Sequence, residues 1–338
     1  MKTVELAEGL EVSAIGFGGM ALSHVYGGIG VDEALATLHH AVDEGVTFLD
    51  TADVYGEPRP GTTGPAGTNE ELISRLLADR RAEVTLATKF GIAGANGKAA
   101  PTRGDAAYVR QACEASLRRL GTEVIDLYYM HRRELTRPIG ETVAAMAELV
   151  QQGKVRHLGL SEVTADELRE AQQVHPIAAV QSEWSLWSRD VEAHVVPAAA
   201  ELGVGFVPYS PLGRGFLTGT LTREDIASSM RAGQSRMDEN FDANQAIVAQ
   251  VRQVAEEASG TAAQVALAWL RYSGERLGLP VVPIPGTRNP KRVTENAASV
   301  ELTLTAEQLS RLDVLADEVQ GSRKLPGVTD DWISSGRE

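Results

Sequence analysis

Short apolar stretches alternate with amphipathic stretches along most of this 338-residue chain. The apolar stretches are rich in valine, isoleucine and leucine, which is the composition of buried strands in a parallel sheet. Between them, apolar residues recur at helical spacing, as at Val109, Cys113, Leu117 and Leu120. The pattern therefore predicts a regular alternation of strands and helices. The predicted strands lie at 46–49, 84–87, 124–130, 155–160, 178–181, 204–209 and 281–284.

A further strand at 14–18 brings the number of strand–helix units to about eight, the number that closes a parallel sheet into a barrel. We therefore predict an α/β fold, a (β/α)8 TIM barrel, in preference to an open doubly wound sheet. Residues 1–15 alternate around a glycine and predict an N-terminal β-hairpin at the bottom of the barrel. The whole chain, 1–338, is expected to form a single domain. Within it, 212–244 is the predicted lid insertion, and 305–338 is the predicted extra C-terminal helix and tail.

Composition and charge exclude several classes of function. The chain has 32 lysines and arginines against 46 aspartates and glutamates, a formal net charge of −14. Nucleic acids and anionic membranes bind contiguous positive surfaces, so we expect neither as a partner. No apolar stretch approaches the roughly 18 residues that a membrane span requires. The single cysteine, Cys113, excludes an internal disulfide and a thiolate zinc cluster, so we expect a cytoplasmic protein without a metal site.

Four titratable side chains follow the predicted strands where those strands end. Asp50 ends one strand and Tyr55 lies five residues later, while Lys89 and His131 end the next two strands. Taken singly, each has an ordinary structural explanation, such as a turn aspartate or a packed histidine. In a barrel, however, the carboxyl ends of all strands meet at one mouth. Four different titratable groups at that mouth predict a catalytic site.

These residues and their surroundings resemble the aldo-keto reductase family. The stretches LDTA, YG, TK and MH at 49–52, 55–56, 88–89 and 130–131 match the family's Asp, Tyr, Lys, His tetrad in order and spacing. The sequence GLSE at 159–162 is closer to the microbial and plant pyridoxal-reductase or auxin-induced-like branch. The resemblance implies NADPH-dependent reduction of a small aldehyde or ketone by direct hydride transfer.

The resemblance also implies a role for each member of the tetrad. Tyr55 is the expected proton donor, Asp50 the partner that keeps Lys89 charged, and His131 the group that orients the carbonyl. An ammonium about 4 Å from the phenol, at an effective dielectric near 20, contributes about 4 kcal/mol, or roughly 3 pKa units. We therefore expect Lys89 to lower the pKa of Tyr55.

Two regions of the sequence are candidates for binding the coenzyme phosphates. Gly16, Gly18 and Ala21 fit the dinucleotide fingerprint, but no helix follows them, so we interpret them as the first barrel strand and its loop. Near the other end, Asn289 and Pro290 can open a helix whose exposed amides attract phosphate. Three cations lie within five residues of that helix start: Arg288, Lys291 and Arg292.

The family resemblance carries the remaining coenzyme contacts over to this chain. It places Arg292 on the adenosine 2′-phosphate and Asn296 on the adenine, so NADP(H) is the expected coenzyme. Tyr209 is expected to stack on the nicotinamide, and Ser161 and Gln181 to bind its carboxamide. The pyrophosphate is expected to lie against Ser210, Leu212, Gly213 and Gly215. The segment Gly286, Thr287 and Arg288 belongs to the same predicted site, although many relatives carry lysine in place of Gly286.

Some questions stay open at this point. Glu162 replaces the asparagine common in relatives, so its contact with the carboxamide is undecided. An NADP(H)-binding regulatory subunit with slow turnover, like the potassium-channel β subunits, is an alternative that a complete tetrad does not exclude. A barrel hydrolase that pairs Asp50 with Glu162 is a third hypothesis. The substrate and the oligomeric state are not predicted. The candidate pocket side chains are His24, Tyr26, Phe90, Trp184, Trp187, Met237 and Trp332, although packing is the commoner role for such residues.

Overall fold

Nine strands are present in the computed structural model, which describes residues 1–23, 26, 28–94, 100–324 and 326–338. Strands β1 and β2 form an antiparallel hairpin, and β3 to β9 form one parallel sheet in sequential order. The bounds are β1 Thr3–Ala7, β2 Leu10–Ser13, β3 Phe17–Gly18, β4 Phe48–Asp50, β5 Thr85–Phe90, β6 Ile125–Met130, β7 Val155–Ser161, β8 Ile177–Glu183 and β9 Gly205–Tyr209.

Residues 281–285 occupy the eighth strand position of the barrel. The amides of Val282 and Ile284 donate to carbonyls of β9, at 3.0 and 3.2 Å. On the other side, the carbonyls of Pro283 and Pro285 accept from the amides of Gly16 and Gly18, at 3.0 and 3.3 Å. Proline has no N–H, so these two residues accept hydrogen bonds from the β3 side but donate none to it. The sheet is therefore closed on both sides, and the (β/α)8 prediction is confirmed.

Helices surround the sheet and follow its strands. They are α1 Val31–Asp43, α2 Thr68–Arg80, α3 Ala106–Leu120, α4 Ile139–Gln151, α5 Ala165–Val174, α6 Val195–Leu202, α7 Arg223–Ala227, α8 Phe241–Glu257, α9 Ala262–Leu277, α10 Pro290–Ala298 and α11 Ala306–Asp313. Several start at a capping box, as α5 does where Thr164 and Glu167 satisfy each other's backbone amides. Within the described ranges, no helix is long and apolar enough to cross a membrane.

The N-terminal hairpin fills the bottom of the barrel. Leu6, Leu10 and Val12 from the hairpin pack in one cluster with the inward-facing Phe48 and Leu127 of the sheet. Gly205 permits this approach, because a Cβ there would lie only 2.6 Å from the Leu6 carbonyl oxygen. Side chains thus close one end of the barrel, and the mouth at the carboxyl ends of the strands remains open for a site.

Two segments cover part of that mouth. Residues 212–244 contain a 3-10 turn at Gly213–Thr218, helix α7 and the chain leading into α8. The end of the chain contains α11 and three short 3-10 turns, Leu315–Glu318, Asp330–Trp332 and Ser334–Gly336. Both segments contribute side chains to the cavity described below.

Candidate active site

The structure brings Asp50, Tyr55 and Lys89 into direct contact. Asp50 is the last residue of β4, Lys89 lies next to the end of β5, and Tyr55 lies in the loop after β4. Lys89 Nζ donates to Asp50 Oδ1 at 2.5 Å and to the carbonyl of Thr51 at 2.7 Å. The same nitrogen is 3.5 Å from Tyr55 Oη. The lysine is wholly buried, and its ammonium lies between the Asp50 carboxylate and the Tyr55 phenol.

His131 follows the last residue of β6 and faces the same phenol. Its ring lies edge-on to that of Tyr55, with the centroids 5.7 Å apart. Burial, together with the charges of Arg132 and Lys89, holds the pKa of His131 well below its ordinary value. The imidazole is therefore neutral at neutral pH and can donate one hydrogen bond without carrying charge. Its Nδ1 is buried and has no hydrogen-bond partner within the described residues.

The pKa of Tyr55 changes in the direction opposite to the one expected from Lys89. Burial of the phenol raises its pKa, and the negative charge of Asp50 raises it further. Lys89 has a carboxylate partner at 2.5 Å, so the pair presents little net positive charge to the phenol. The nearby charge that lowers the pKa of Tyr55 is that of Arg132. Tyr55 is accordingly held in its protonated form, ready to donate.

A single cavity of about 1220 Å³ runs from the tetrad to the start of α10. Asp50, Tyr55 and His131 line it at one end. Eleven of the predicted coenzyme contacts also line it: Ser161, Gln181, Tyr209, Ser210, Leu212, Gly215, Gly286, Thr287, Arg288, Arg292 and Asn296. Residues far apart in the chain therefore share one elongated cavity.

Gly213 is not among the residues that line the cavity, and its predicted contact with the pyrophosphate stays a prediction. A Cβ at this position would lie 2.6 Å from the ring of Trp187. The glycine is required for packing against that indole, and the neighbouring Arg214 and Gly215 face the cavity instead. The pattern of glycines in this loop did not distinguish close packing from close approach to a ligand.

The end of the cavity at α10 fits a phosphorylated nucleotide. Asn289 caps the helix by accepting from the Lys291 amide at 3.0 Å. Neither Arg288, Lys291 nor Arg292 forms an ion pair in the part of the chain that the structure describes. The buried Asn296 lines the cavity one turn further along the helix. Unpaired cations beside a helix N-terminus favour an anion.

The structure explains why Gly286 is not lysine in this chain. A Cβ at Gly286 would lie 2.4 Å from the carbonyl oxygen of Gly18 and 2.8 Å from Cβ of Ala21. The segment that closes the barrel therefore passes too near β3 for any side chain. Gly18 belongs to this close contact, as expected from its placement in the first barrel strand, and it lines the cavity together with Ala21.

Glu162 is fully engaged with protein groups. Its Oε1 accepts from Tyr209 Oη at 2.7 Å, from the Glu183 amide at 3.2 Å and from Arg323 at 3.3 Å. Its Oε2 accepts from the amide and hydroxyl of Ser334, at 2.9 and 3.1 Å. A carboxylate offers about four acceptor sites, so none is left for a carboxamide. Glu162 anchors the C-terminal tail and fixes Tyr209.

Charged residues that the sequence analysis did not single out also surround the cavity. Arg132 follows His131 directly, and its guanidinium lies 5.4 Å from the centroid of the Trp332 ring. Arg214 lies between two lid glycines and pairs with Glu183 at 3.0 Å. Both arginines line the cavity. In the sequence, the signal that could have identified them is their position: Arg132 follows His131, and Arg214 lies between Gly213 and Gly215, all predicted site residues.

The aromatic and methionine candidates fall into two groups. Tyr26 and Trp332 line the cavity. The others are buried in the hydrophobic core: Phe90, Trp184, Trp187 and Met237. His24 lies outside the described residues.

Backbone strain is concentrated at the same mouth. The non-glycine residues with positive φ in the described ranges are Glu162, Ser210, Arg214 and Ser259, with φ of 51°, 50°, 55° and 55°. The first three lie at the end of β7, the end of β9 and the start of the lid. Such conformations cost about 1–3 kcal/mol each and are typical of functional sites.

Comparisons with known proteins identify the family and the fold. The Aldo/keto reductase family matches residues 14–317. A probable aldo-keto reductase from Glycine max is 41% identical over 95% of this chain and 91% of its own length. Among solved structures, a glycerol dehydrogenase from Gluconobacter oxydans superposes with a TM-score of 0.81 at 26% identity, covering 97% of this chain and 98% of its own. An aldo-keto reductase from Bacillus halodurans, in its holo form, gives 0.75 at 27% identity, covering 96% and 99%.

The chain belongs to the aldo-keto reductase family. The family consists of oxidoreductases that interconvert carbonyl compounds and alcohols with nicotinamide coenzymes. This membership argues against the hydrolase hypothesis, as do the partners of its two carboxylates. Asp50 is held by Lys89 and by Gln181 Nε2 at 2.9 Å, and Glu162 is held by the tail.

Proposed function

We propose that this protein reduces small aldehydes or ketones with NADPH and that Tyr55 is the proton donor. The observation that carries the proposal is the shared cavity. Tyr55 Oη, 3.5 Å from Lys89 Nζ and beside the neutral His131, opens into the same space as the unpaired cations of α10. A proton donor for the carbonyl oxygen and a candidate site for a phosphorylated coenzyme thus lie in one cavity.

Hydride transfer to a carbonyl carbon leaves negative charge on the oxygen, which must meet a proton. NADPH supplies the hydride when bound, with Ser161, Gln181 and Tyr209 holding its nicotinamide. Tyr55 and His131 both donate toward the carbonyl oxygen. A phenol is a stronger acid than an alcohol, so Tyr55 can give its proton to the developing alkoxide even though its own pKa is raised.

Lys89 and Asp50 assist the proton transfer from Tyr55 without contacting the substrate. The ammonium donates toward Tyr55 Oη and stabilises the phenolate that remains after proton transfer. Asp50 keeps the ammonium oriented through a buried ion pair. The reverse reaction, oxidation of an alcohol, uses the same groups in the opposite order. The name of the Gluconobacter relative, a glycerol dehydrogenase, supports activity between alcohol and carbonyl.

We propose NADPH rather than NADH because of the cations at α10. Arg292 lines the cavity at the helix start and has no carboxylate partner in the described ranges. The 2′-phosphate distinguishes the two coenzymes and supplies the missing negative charge. We also expect a small carbonyl substrate, no nucleic-acid partner and, because the only cysteine is a buried free thiol, a reducing compartment such as the cytoplasm.

Replacing Tyr55 with phenylalanine tests the proton donor. We expect Tyr55→Phe to lose at least 100-fold in kcat for a panel of aldehydes, because general acid catalysis contributes about 10²- to 10⁴-fold. The dissociation constant for NADPH, measured by quenching of tryptophan fluorescence, should change less than about threefold. Tyr272→Phe, on α9 and outside the cavity, is the matched control.

Two results would count against the proposal. Near-normal turnover of Tyr55→Phe would show that another group donates the proton. Tight NADPH binding by the unmodified protein, with negligible NADPH oxidation across the panel, would favour the regulatory-subunit alternative.

A further inference from the structure

Arg132 places a guanidinium beside the tetrad. Its Nη1 donates to the His131 carbonyl at 2.7 Å and to Ser161 Oγ at 3.3 Å. Its Nε is buried and has no hydrogen-bond partner among the described residues. Within those residues Nη2 also makes no hydrogen bond, but it is not buried and the side chain lines the cavity. The guanidinium therefore retains unused donors at the catalytic end of the cavity.

Three other buried cations near this end each have a carboxylate partner, whereas Arg231, which also lines the cavity, donates to the Arg214 carbonyl and to Ser229. The pairs are Lys89 with Asp50 at 2.5 Å, Arg214 with Glu183 at 3.0 Å and Arg323 with Asp190 at 2.7 Å. Arg132 forms no ion pair with any described residue. Its charge reaches the reacting groups all the same, because it lowers the pKa of His131 and opposes the rise in the pKa of Tyr55. The charge of Arg132 also reaches the Glu162 carboxylate, but that carboxylate is already paired with Arg323. A partly buried guanidinium without a direct carboxylate partner keeps donors that a ligand anion can satisfy.

The chemistry of the Arg132 side chain favours a carboxylate as the bound anion. A guanidinium presents donors in a planar fork that matches a carboxylate in two parallel hydrogen bonds. One unpaired cation balances one negative charge, and a protein of net charge −14 repels a dianion more strongly than a monoanion. Trp332, Val54 and Ile92 line the cavity as well and give it apolar surface.

We propose that Arg132 is a specificity-determining residue that selects carbonyl compounds bearing a carboxylate. The favoured substrate has an aldehyde or keto group at Tyr55 and His131, a short apolar or aromatic spacer and a carboxylate on Arg132. This inference rests on the proposed carbonyl reduction, since it names the substrate class of the same site.

The first test compares acids with their neutral esters. The probes are 3- and 4-carboxybenzaldehyde and the corresponding methyl esters, each assayed for kcat and KM with NADPH. We expect kcat/KM for at least one acid to exceed that of its ester by tenfold or more. Arg132→Met keeps the length and removes the charge, so the acid-to-ester ratio should fall toward one, chiefly through KM. Arg132→Lys should retain part of the ratio, because the charge stays but the fork is lost.

Arg110→Met is the matched control. Arg110 lies on the outer surface of α3, paired with Glu148 at 2.7 Å, and its removal should leave the ratio unchanged. An acid-to-ester ratio near one in the unmodified protein would overturn the proposal. So would a ratio that stays high in Arg132→Met, since the side chain would then act through Ser161 or the fold and not through the substrate's charge.

A binding measurement separates this inference from the proposed function. Isothermal titration of the NADPH-loaded protein with benzoate and with methyl benzoate needs no turnover. We expect benzoate to bind more tightly than the ester, and Arg132→Met to weaken benzoate binding about tenfold or more. If no aldehyde is reduced but this difference is seen, the proposed function fails and the anion site stands. Equal binding of both ligands, or benzoate binding that Arg132→Met leaves intact, overturns the anion site.

Discussion

The proposed preference for NADPH can be tested at one exposed side chain, that of Arg292 in the first turn of α10. A hydrogen bond between charged groups contributes about 1.5–3 kcal/mol, which corresponds to roughly ten- to a hundredfold in affinity. We therefore expect Arg292→Ala to weaken NADPH binding by at least tenfold and to change NADH binding by less than about threefold. Both dissociation constants should be measured by fluorescence quenching at one fixed salt concentration.

Arg110→Ala provides a control that removes the same charge from a distant surface. If Arg292→Ala weakens both coenzymes equally, the 2′-phosphate lies elsewhere. If neither dissociation constant changes, Arg292 lies in solvent at the start of the helix and does not bind the coenzyme.

Single residues also show where reasoning from sequence stops. Asp50, Tyr55, Lys89 and His131 could be grouped in advance because strand ends converge in a closed barrel. Their electrostatics could not, because the pKa of Tyr55 depends on burial and on how closely Asp50 neutralises Lys89. Whether an arginine is paired is equally invisible in sequence, which is why Arg132 was not singled out.

At the scale of elements, the C-terminal tail is fastened to the barrel through a buried ion pair. Arg323 contacts Glu162 at 3.3 Å and Asp190 at 2.7 Å, and its side chain is 6% exposed. Breaking one partner of a buried pair costs about 3–5 kcal/mol. We expect Arg323→Met to loosen the C-terminal tail, with hydrogen exchange of tail peptides at least tenfold faster. We also expect a lower affinity for NADPH, because Glu162, which accepts from Tyr209 Oη, loses its buried counterion.

Lys324→Met is the control for the tail, since Lys324 forms an exposed pair with Asp330 and such pairs contribute about 1 kcal/mol or less. Ser334→Ala is a milder second variant, in case Arg323→Met lowers the stability of the whole chain. Unchanged exchange in both tail variants would show that Glu162 does not hold the tail.

The elements themselves were largely predictable, except at two places. The eighth strand position carries Pro283 and Pro285, which remove donors toward β3 and leave a half-paired segment where the apolar pattern predicted an ordinary strand. The contacts of the tail could not be predicted, because its anchor, Glu162, lies 161 residues before Arg323. Spacing along the sequence does not indicate contacts over such a distance. Local periodicity predicts helices and strands, but long-range ion pairs arise only in the folded chain.

At the scale of the whole molecule, Glu162 joins the end of β7, the β9 residue Tyr209 and the tail. Burial by itself raises the pKa of Glu162, but Arg323, Arg132 and their neighbours lower it more, to about 2. A carboxyl whose pKa falls on folding contributes stability that is complete above its unfolded pKa near 4.5 and is lost as the pH falls toward about 2. The shift corresponds to a contribution on the order of 3 kcal/mol.

Glu162→Gln tests this contribution to stability. At pH 7 the variant should unfold at lower urea concentration than the unmodified protein, because Arg323 loses a buried counterion. As the pH falls below about 4.5, the unmodified protein should lose this advantage, and the two free energies of unfolding should converge. Glu301→Gln, whose pair with Lys2 is largely exposed, should show little difference at any pH. A gap between Glu162→Gln and the unmodified protein that stays constant from pH 7 to pH 3 would mean that the buried carboxylate does not link the tail to acid stability.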